Sequence, residues 1–269
     1  MNNYIEDLIE KPNDIYKFLE KYISVFNAGW KAKLQPASEE EISNLKKVSG
    51  FEELGYDIPD EYLAFLRYMG KNDGGLISDF FEGYTDIDNI INYYISDREV
   101  LFQYFIQKNQ LILYIGYISG EPDLFIDVKN NTTHDIHWSS ENECYKDTYA
   151  ESFDKFLMQI TFMTYEQKKY KNKIYFNGTW QDTIELIRQY GNEKIMRSVC
   201  QIAENQGFKT AWFSDKWHYC GFKENSYLFV YRDFGFYGYV VSNNMDEVGN
   251  IVNDLNNLLN TKVREMILE

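Results

Sequence analysis

SEEEISNLKKVSGFEELGYDIPDEYLAFLRYMGKNDGG, residues 38–75, says most about how this chain folds. Ser38 with Glu41 three residues later is the pattern of a capping box, so a helix is predicted to begin here. Pro59 suits the first turn of a second helix, where its missing N–H has no consequence. The buried stripe of that helix is predicted at Tyr62, Phe65, Leu66 and Met69. Glycines predict its end and a turn at Gly70, Gly74 and Gly75.

Helical and strand patterns continue on both sides of this segment. Apolar spacing predicts a helix from about Asp14 to Asn27. A second helical stripe comprises Ile87, Ile90, Ile91, Tyr94 and Ile95. Three strands are predicted, at Leu111–Ile118, Leu124–Val128 and His134–Trp138. A further helix carries Phe153, Phe156, Leu157 and Ile160.

The polar, basic segment Gln167–Lys173 (QKKYKNK) is interpreted as a domain boundary. Helices are predicted beyond it at Thr183–Tyr190 and Glu193–Asn205. A hairpin joining Tyr227–Tyr231 to Phe236–Val241 and a last amphipathic helix follow. That helix carries Val248, Ile251, Val252, Leu255, Leu258 and Leu259. These patterns predict a second, small α+β unit.

Charge is the most informative part of the composition. The 269 residues are 44% hydrophobic and 26% charged, an ordinary globular balance that fits one or two domains. The formal net charge is −15, and residues 38–149 hold 22 acids against 8 bases. Nucleic acid is therefore not an expected partner, because phosphate contacts need a basic face. An anionic membrane surface is disfavoured for the same reason.

The sequence predicts a soluble protein of the cytoplasm. Its longest clean apolar run, Leu111–Ile118, is too short to span a bilayer, and the first ten residues lack the features of a secretion signal. Three widely spaced cysteines, at 144, 200 and 220, are expected to be free thiols.

No sequence motif indicates a catalysed reaction. His134, His137 and Cys144 do not make a convincing metal site, because an odd separation on a strand puts the two imidazoles on opposite faces. The kinase-like tripeptide Asp233-Phe234-Gly235 lacks the rest of the kinase signature. We therefore expect no catalytic residue, no cofactor and no metal.

The segment 38–75 resembles the N-terminal signature of the SUKH superfamily, which includes fungal regulators of cell-wall glucan synthesis and bacterial immunity proteins. The resemblance lies in Ser38–Ile42, in Ile58–Leu66 and in the glycine-rich turn from Gly70 to Gly75. It continues weakly through Gly120–Asp127 and Ser152–Leu157, and covers roughly Trp30 to Tyr165. The aromatic-rich insert Asp86–Gln110 departs from the family pattern, and the C-terminal unit is not covered.

The resemblance implies an α+β fold with helices against a mainly antiparallel sheet. Together with the boundary at Gln167–Lys173, it divides the chain into an N-terminal helical extension (1–29), a SUKH-like domain (30–166) and a small α+β domain of unknown role (174–269). It also implies a non-enzymatic immunity protein that binds and neutralises a toxin. Two alternatives stay open: an intracellular adaptor in cell-wall regulation, and an enzyme with a site around Trp212, Asp215, Trp217 and His218.

The charge distribution suggests how a toxin would be bound. Many toxins that attack nucleic acid must be basic to hold their substrate, and an acidic protein can occupy the same surface. The expected partner is therefore a basic toxin domain of the nuclease type. Seven acids in loops or at element ends are the predicted contact residues: Asp73, Asp79, Glu82, Asp86, Asp88, Glu121 and Asp123.

Overall fold

The computed structural model describes residues 8–96, 112–117, 123–138, 144–232, 235–244, 246, 248–260 and 262–267. At 123, 134–138, 144–147 and 262–267 the description covers the backbone. The chain divides into two compact units, Leu19–Ile160 and the remainder, Met1–Phe18 with Thr161–Glu269. Each unit is described by itself.

Helices and two antiparallel sheets alternate along the chain, so the predicted α+β class is confirmed. The helices are α1 (Ile15–Ile23), α2 (Trp30–Lys33), α3 (Glu39–Val48), α4 (Phe51–Leu54), α5 (Asp60–Met69), α6 (described over 87–96), α7 (Phe153–Tyr165), α8 (Trp180–Tyr190), α9 (Asn192–Asn205) and α10 (Gly249–Leu259). A 3-10 turn, Glu166–Lys169, follows α7.

The strands form one sheet in each unit. In the first unit β1 (Ile112–Tyr117), β2 (Asp123–Asp127), β3 (Thr132–Trp138) and β4 (Cys144–Ala150) pair in sequence order. The second sheet contains β5 (Asn172–Asn177), β6 (Lys209–Thr210), β7 (His218–Lys223), β8 (Ser226–Arg232), β9 (Phe236–Ser242) and β10 (Lys262–Ile267). Its strand order is β10-β5-β9-β8-β7-β6.

Aromatic packing between α5 and α7 forms part of the core of the first unit. The predicted stripe of α5 is confirmed, since Tyr62, Phe65, Leu66 and Met69 are all at most 1% exposed. The Phe153 ring meets Tyr62 and Phe65 edge-on, at centroid distances of 5.1 and 5.2 Å. Glu61 joins the same helices, because its carboxylate accepts the Asp154 N–H at 3.0 Å, at the positive end of α7.

The prediction for the α6 stripe is wrong at one residue. Ile87, Ile90, Ile91 and Tyr94 are buried as predicted, but Ile95 is 63% exposed. At 100° per residue its side chain points about a quarter turn away from the mean direction of the other four.

The second unit packs α9 and α10 on one face of its sheet. Ile174, Leu228 and Val240 of the sheet share this core with Val199 of α9 and Leu255 of α10. The predicted hairpin corresponds to β8 and β9, which pair antiparallel. The predicted boundary segment Gln167–Lys173 contains part of the 3-10 turn and the start of β5; the domain limits given above stay a prediction.

Candidate interaction surface in the acidic loop

The predicted acidic residues centre on the connection between α5 and α6, residues 70–86, which we call the acidic loop. Its two ends are held together, because the Ile87 N–H donates to the Gly70 carbonyl at 2.8 Å. Near its start, Gln35 and Asn72 form an antiparallel bridge. Near its end, Tyr84 is bridged to Tyr117 of β1, and the two rings stack at 5.5 Å. The loop is thus fixed to the rest of its unit at three places.

Asp73 organises the interior of the acidic loop. Its side chain is buried, and the carboxylate accepts the backbone N–H groups of Gly75, Ile77 and Ser78 at 2.8, 2.8 and 3.0 Å. It also accepts the hydroxyls of Ser78, at 2.8 Å, and Thr85, at 3.2 Å. Since these donors are neutral, the loop keeps the negative charge of Asp73.

Trp30 and two glycines fix the path of the chain beside Asp73. The Trp30 Nε1–H donates to the Asp73 carbonyl at 3.1 Å. Gly74 has φ +68°, and a Cβ there would lie 2.6 Å from the Trp30 indole. Gly75 has φ +86°, and its Cβ would collide with the Asp79 carboxylate. Both positions favour glycine for its positive φ, and Gly74 also for space, since the Trp30 indole is buried and hydrogen-bonded there.

The tip of the acidic loop carries two exposed carboxylates and an exposed aromatic residue that lies between them in sequence. Asp79 and Glu82 are exposed, and among the described residues neither is in a salt bridge. Glu82 has φ +52°, in a turn closed by the Gly83 N–H donating to the Ser78 carbonyl at 2.9 Å. Phe80 is 37% exposed. Local sequence gave no signal for Phe80, because a single aromatic residue in a loop belongs to no periodic pattern.

Asp86 and Asp88 extend the acidic surface to the start of α6. The Asp86 carboxylate caps this helix, accepting the Asn89 N–H at 3.0 Å and its amide at 2.8 Å. Asp88 is exposed and lies 3.4 Å from the Lys71 amine. Lys71 also bonds to Glu41 of the capping box, and the pKa of Glu41 is lowered to about 2 by this bond and by those from Ser38.

A polar cavity of about 220 Å³ opens beside these residues. Its lining includes Lys71, Asp73, Tyr84 and Asp86. The cavity is thus lined by two acids and one base.

Four of the seven predicted contact residues lie within ten residues of chain: Asp79, Glu82, Asp86 and Asp88. Asp73 is in the same loop, but its side chain is directed inward. Glu121 lies outside the described residues, as does the side chain of Asp123. The backbone of Asp123 pairs with Tyr117 of β1, and the Tyr117 N–H donates to the Tyr84 carbonyl. The end of β1 therefore lies between the start of β2 and the acidic loop.

The residues of the alternative enzyme site form a turn and a packed core. The Asp215 carboxylate accepts the N–H groups of Trp217 and His218, both at 2.8 Å. His218 is buried and stacks on Tyr231, and the Arg232 guanidinium lies 5.2 Å from the Trp217 ring centroid. Across the described part of the chain, no group of three His, Cys, Asp or Glu residues could hold a metal ion.

Comparison with models of known protein families gave a match over one segment of the chain. Residues 36–159, slightly less than half the chain, match the family model described as the SMI1 / KNR4 family (SUKH-1). This confirms the resemblance over that segment, which includes α3, α5, the acidic loop and the first sheet. Neither the curated proteins nor the solved structures gave a match. Within the described residues, no helix is both long and apolar enough to cross a membrane.

Proposed function

From the membership of residues 36–159 in the SMI1/KNR4 family (SUKH-1), we propose that this protein is a non-enzymatic immunity protein of the cytoplasm that binds and neutralises a basic toxin domain. The family suggests an immunity or a regulatory role. The observation that favours immunity is that four acids, Asp79, Glu82, Asp86 and Asp88, lie within ten residues of chain. We take them as one acidic surface, which suits a toxin that binds nucleic acid and therefore presents the opposite charge.

The charge of this surface is available to a partner. Residues 38–99 hold fifteen acids and five bases. Lys46 and Arg67 form salt bridges with Asp57 and Glu39, and Lys71 forms salt bridges with both Glu41 and Asp88. Asp79 and Glu82 take part in none of the salt bridges among the described residues, so their charge is in excess. Complementary charge of this kind speeds encounter with a basic protein.

The acidic loop is also well ordered for binding. The hydrogen bonds to Asp73 and the two bridges to Gln35 and Tyr117 hold it in one conformation, so little conformational entropy is lost when a partner binds. Phe80, 37% exposed beside Asp79 and Glu82 in sequence, offers an apolar side chain that a partner could bury. Glu121 and Asp123 remain proposed extensions of the same surface.

To test this, the tagged protein is used to capture its partner from a lysate of its own organism at low salt. The bound proteins are eluted with rising salt and identified by mass spectrometry. We expect a single near-stoichiometric basic toxin domain, released at high salt. The quadruple variant Asp79→Asn, Glu82→Gln, Asp86→Asn, Asp88→Asn should fail to capture it. Asn keeps the capping role at position 86. A set of envelope proteins instead of a toxin would favour the regulatory role.

A further inference from the structure

The polar cavity beside the acidic loop has a size that suits one side chain. Its volume of about 220 Å³ is several times the roughly 30 Å³ of one water molecule. It is below the roughly 300–1,000 Å³ of sites that enclose small molecules and cofactors. Polar residues line it, among them Asn72, Ser78 and Thr85. An apolar occupant would displace water from these residues without replacing its hydrogen bonds, so a polar occupant is favoured.

Carboxylates outnumber amines in and next to this cavity. Asp73 and Asp86 belong to its lining, and so does Lys71. Lys71, however, forms salt bridges with both Glu41 and Asp88, so its positive charge is already compensated. Four carboxylates against one amine attract a cation and repel an anion.

The free acceptors favour an organic cation over a metal ion. The Asp73 carboxylate already accepts five neutral donors. Each oxygen of Asp86 accepts one hydrogen bond, from Asn89, and keeps a second acceptor site. One carboxylate with free acceptor sites suits a cation that donates hydrogen bonds better than a metal ion, which needs several oxygen ligands.

Tyr84 favours a planar cation. It is half-buried, lines the cavity and stacks on Tyr117. A guanidinium is planar, so it pairs with a carboxylate through two parallel N–H groups and also stacks on an aromatic ring. A lysine ammonium is a compact, strongly hydrated point charge and gains less from these surroundings.

We propose that the polar cavity receives one arginine side chain of the basic partner, with the guanidinium paired to the Asp86 carboxylate and stacked on Tyr84. This inference rests on the proposed function, since it names the group through which the partner enters the acidic loop. An arginine anchored in a pocket is a common centre of binding energy in interfaces. Asp79 and Glu82, which do not line the cavity, steer the encounter, and Asp86 holds the bound partner.

Arginine amide tests the cavity without the partner. It is titrated into the purified, ¹⁵N-labelled protein while the backbone amide signals are followed by NMR. We expect saturable shifts at the residues that line the cavity, with a Kd of about 1–10 mM. Lysine amide at the same ionic strength should bind at least about fivefold more weakly. Asp86→Asn should abolish the saturable shifts, although Asn keeps the capping role at this position.

Asp60→Asn is the matched control, because it removes the same charge from the same unit. Asp60 is exposed at the first position of α5, and the acidic loop begins after the last, about 15 Å further along the helix. Its binding of arginine amide should match that of the wild type, and unchanged thermal melting confirms that both variants are folded. Absence of saturable shifts, equal affinity for lysine amide, or equal binding by Asp86→Asn and the wild type would overturn the proposal.

The captured partner separates this inference from the proposed function. Asp86→Asn should weaken its binding about tenfold or more, mainly through faster dissociation, and Asp60→Asn should stay within about twofold of the wild type. Replacement of the partner's arginines by lysine, one at a time, should identify one whose effect is not additive with Asp86→Asn. A toxin that is neutralised equally by the wild type and Asp86→Asn would overturn the arginine site and leave immunity standing. Saturable binding of arginine amide without any captured toxin would support a guanidinium site and count against immunity.

Discussion

At Asp73 the carboxylate accepts three backbone N–H groups and two hydroxyls while its side chain is only 5% exposed. An Asp in a glycine-rich stretch looks like a surface residue in the sequence. Its burial depends on Trp30 and Thr85, which approach from other parts of the chain. Local patterns cannot show which way such a side chain points.

Replacement of Asp73 by Asn should lower the free energy of unfolding by about 2–4 kcal/mol, because the new amide places a donor against backbone donors. Chemical denaturation measures this change. The matched control is Asp79→Asn in the same loop, whose exposed side chain should cost no more than about 0.5 kcal/mol. Equal losses for the two variants would contradict the role given to Asp73.

The Tyr62 hydroxyl tests the aromatic packing between α5 and α7. Tyr62 is 1% exposed, and its hydroxyl has no hydrogen-bond partner within the described structure. Tyr62→Phe should therefore be neutral or stabilising by up to about 1 kcal/mol, whereas Tyr62→Ala should lose about 3–5 kcal/mol. Denaturant unfolding distinguishes the two, and a large loss for Tyr62→Phe would reveal a hydroxyl contact that this account lacks.

At the scale of elements, the capping box of α3 was predictable because all its contacts are local. The Ser38 hydroxyl accepts the Glu41 N–H at 3.2 Å, and the Glu41 carboxylate accepts the Ser38 N–H at 2.7 Å. Strand β4 was not predicted, since Cys144–Ala150 (CYKDTYA) lacks an apolar run and owes its place to pairing with β3. Local signals suffice for caps and helix stripes, but not for polar edge strands.

The Glu41 network gives a prediction for acid stability. Hydrogen bonds from Lys71 and Ser38 lower the pKa of Glu41 from 4.5 to about 2. A depressed pKa in the folded state adds stability above pH 4.5, and that stability is lost as the pH falls toward 2. The wild type should exceed Glu41→Gln in unfolding free energy at pH 6, and the difference should shrink between pH 4.5 and 2. A constant difference would contradict the network.

Lys173 of β5 should affect the stability of the fold at alkaline pH. Its amine is buried 4.2 Å from the Tyr175 ring centroid and 3.9 Å from that of Tyr239, and burial lowers its pKa from 10.5 to about 8. The folded protein then binds this proton less tightly than the unfolded chain, so stability rises as the pH increases from 8 toward 10.5. The wild type should gain stability relative to Lys173→Met over this range. For the exposed control Lys171→Met, the change in unfolding free energy between pH 8 and 10.5 should equal that of the wild type.

At the scale of the whole molecule, the sequence predicted the α+β class, the family segment and the acidic half of the chain. The use of Asp79, Glu82, Asp86 and Asp88 as one contact surface stays a prediction, based on their closeness in sequence. Phe80 and the inward direction of Asp73 were not predicted, since both depend on how the loop folds against α2 and β1. The domain limits and the identity of the toxin stay predictions.

Electrostatic attraction should depend on where the charge lies as well as on its amount. The quadruple variant of the acidic loop raises the net charge by four, and so does Glu185→Gln, Glu224→Gln, Asp246→Asn, Asp254→Asn in the second unit. Association rates with the captured partner, measured at several salt concentrations, should fall for the loop variant and lose most of their salt dependence. The association rate of the second-unit variant should stay close to that of the wild type. Equal reductions for the two variants would indicate nonspecific attraction.

The most direct test of the proposed immunity is inhibition of the captured partner's own toxic activity by the purified protein. We predict complete inhibition at one equivalent of wild type, retained by the second-unit charge variant and lost by the acidic-loop variant. A partner that stays fully active with excess wild-type protein, or that has no toxic activity, would contradict the account.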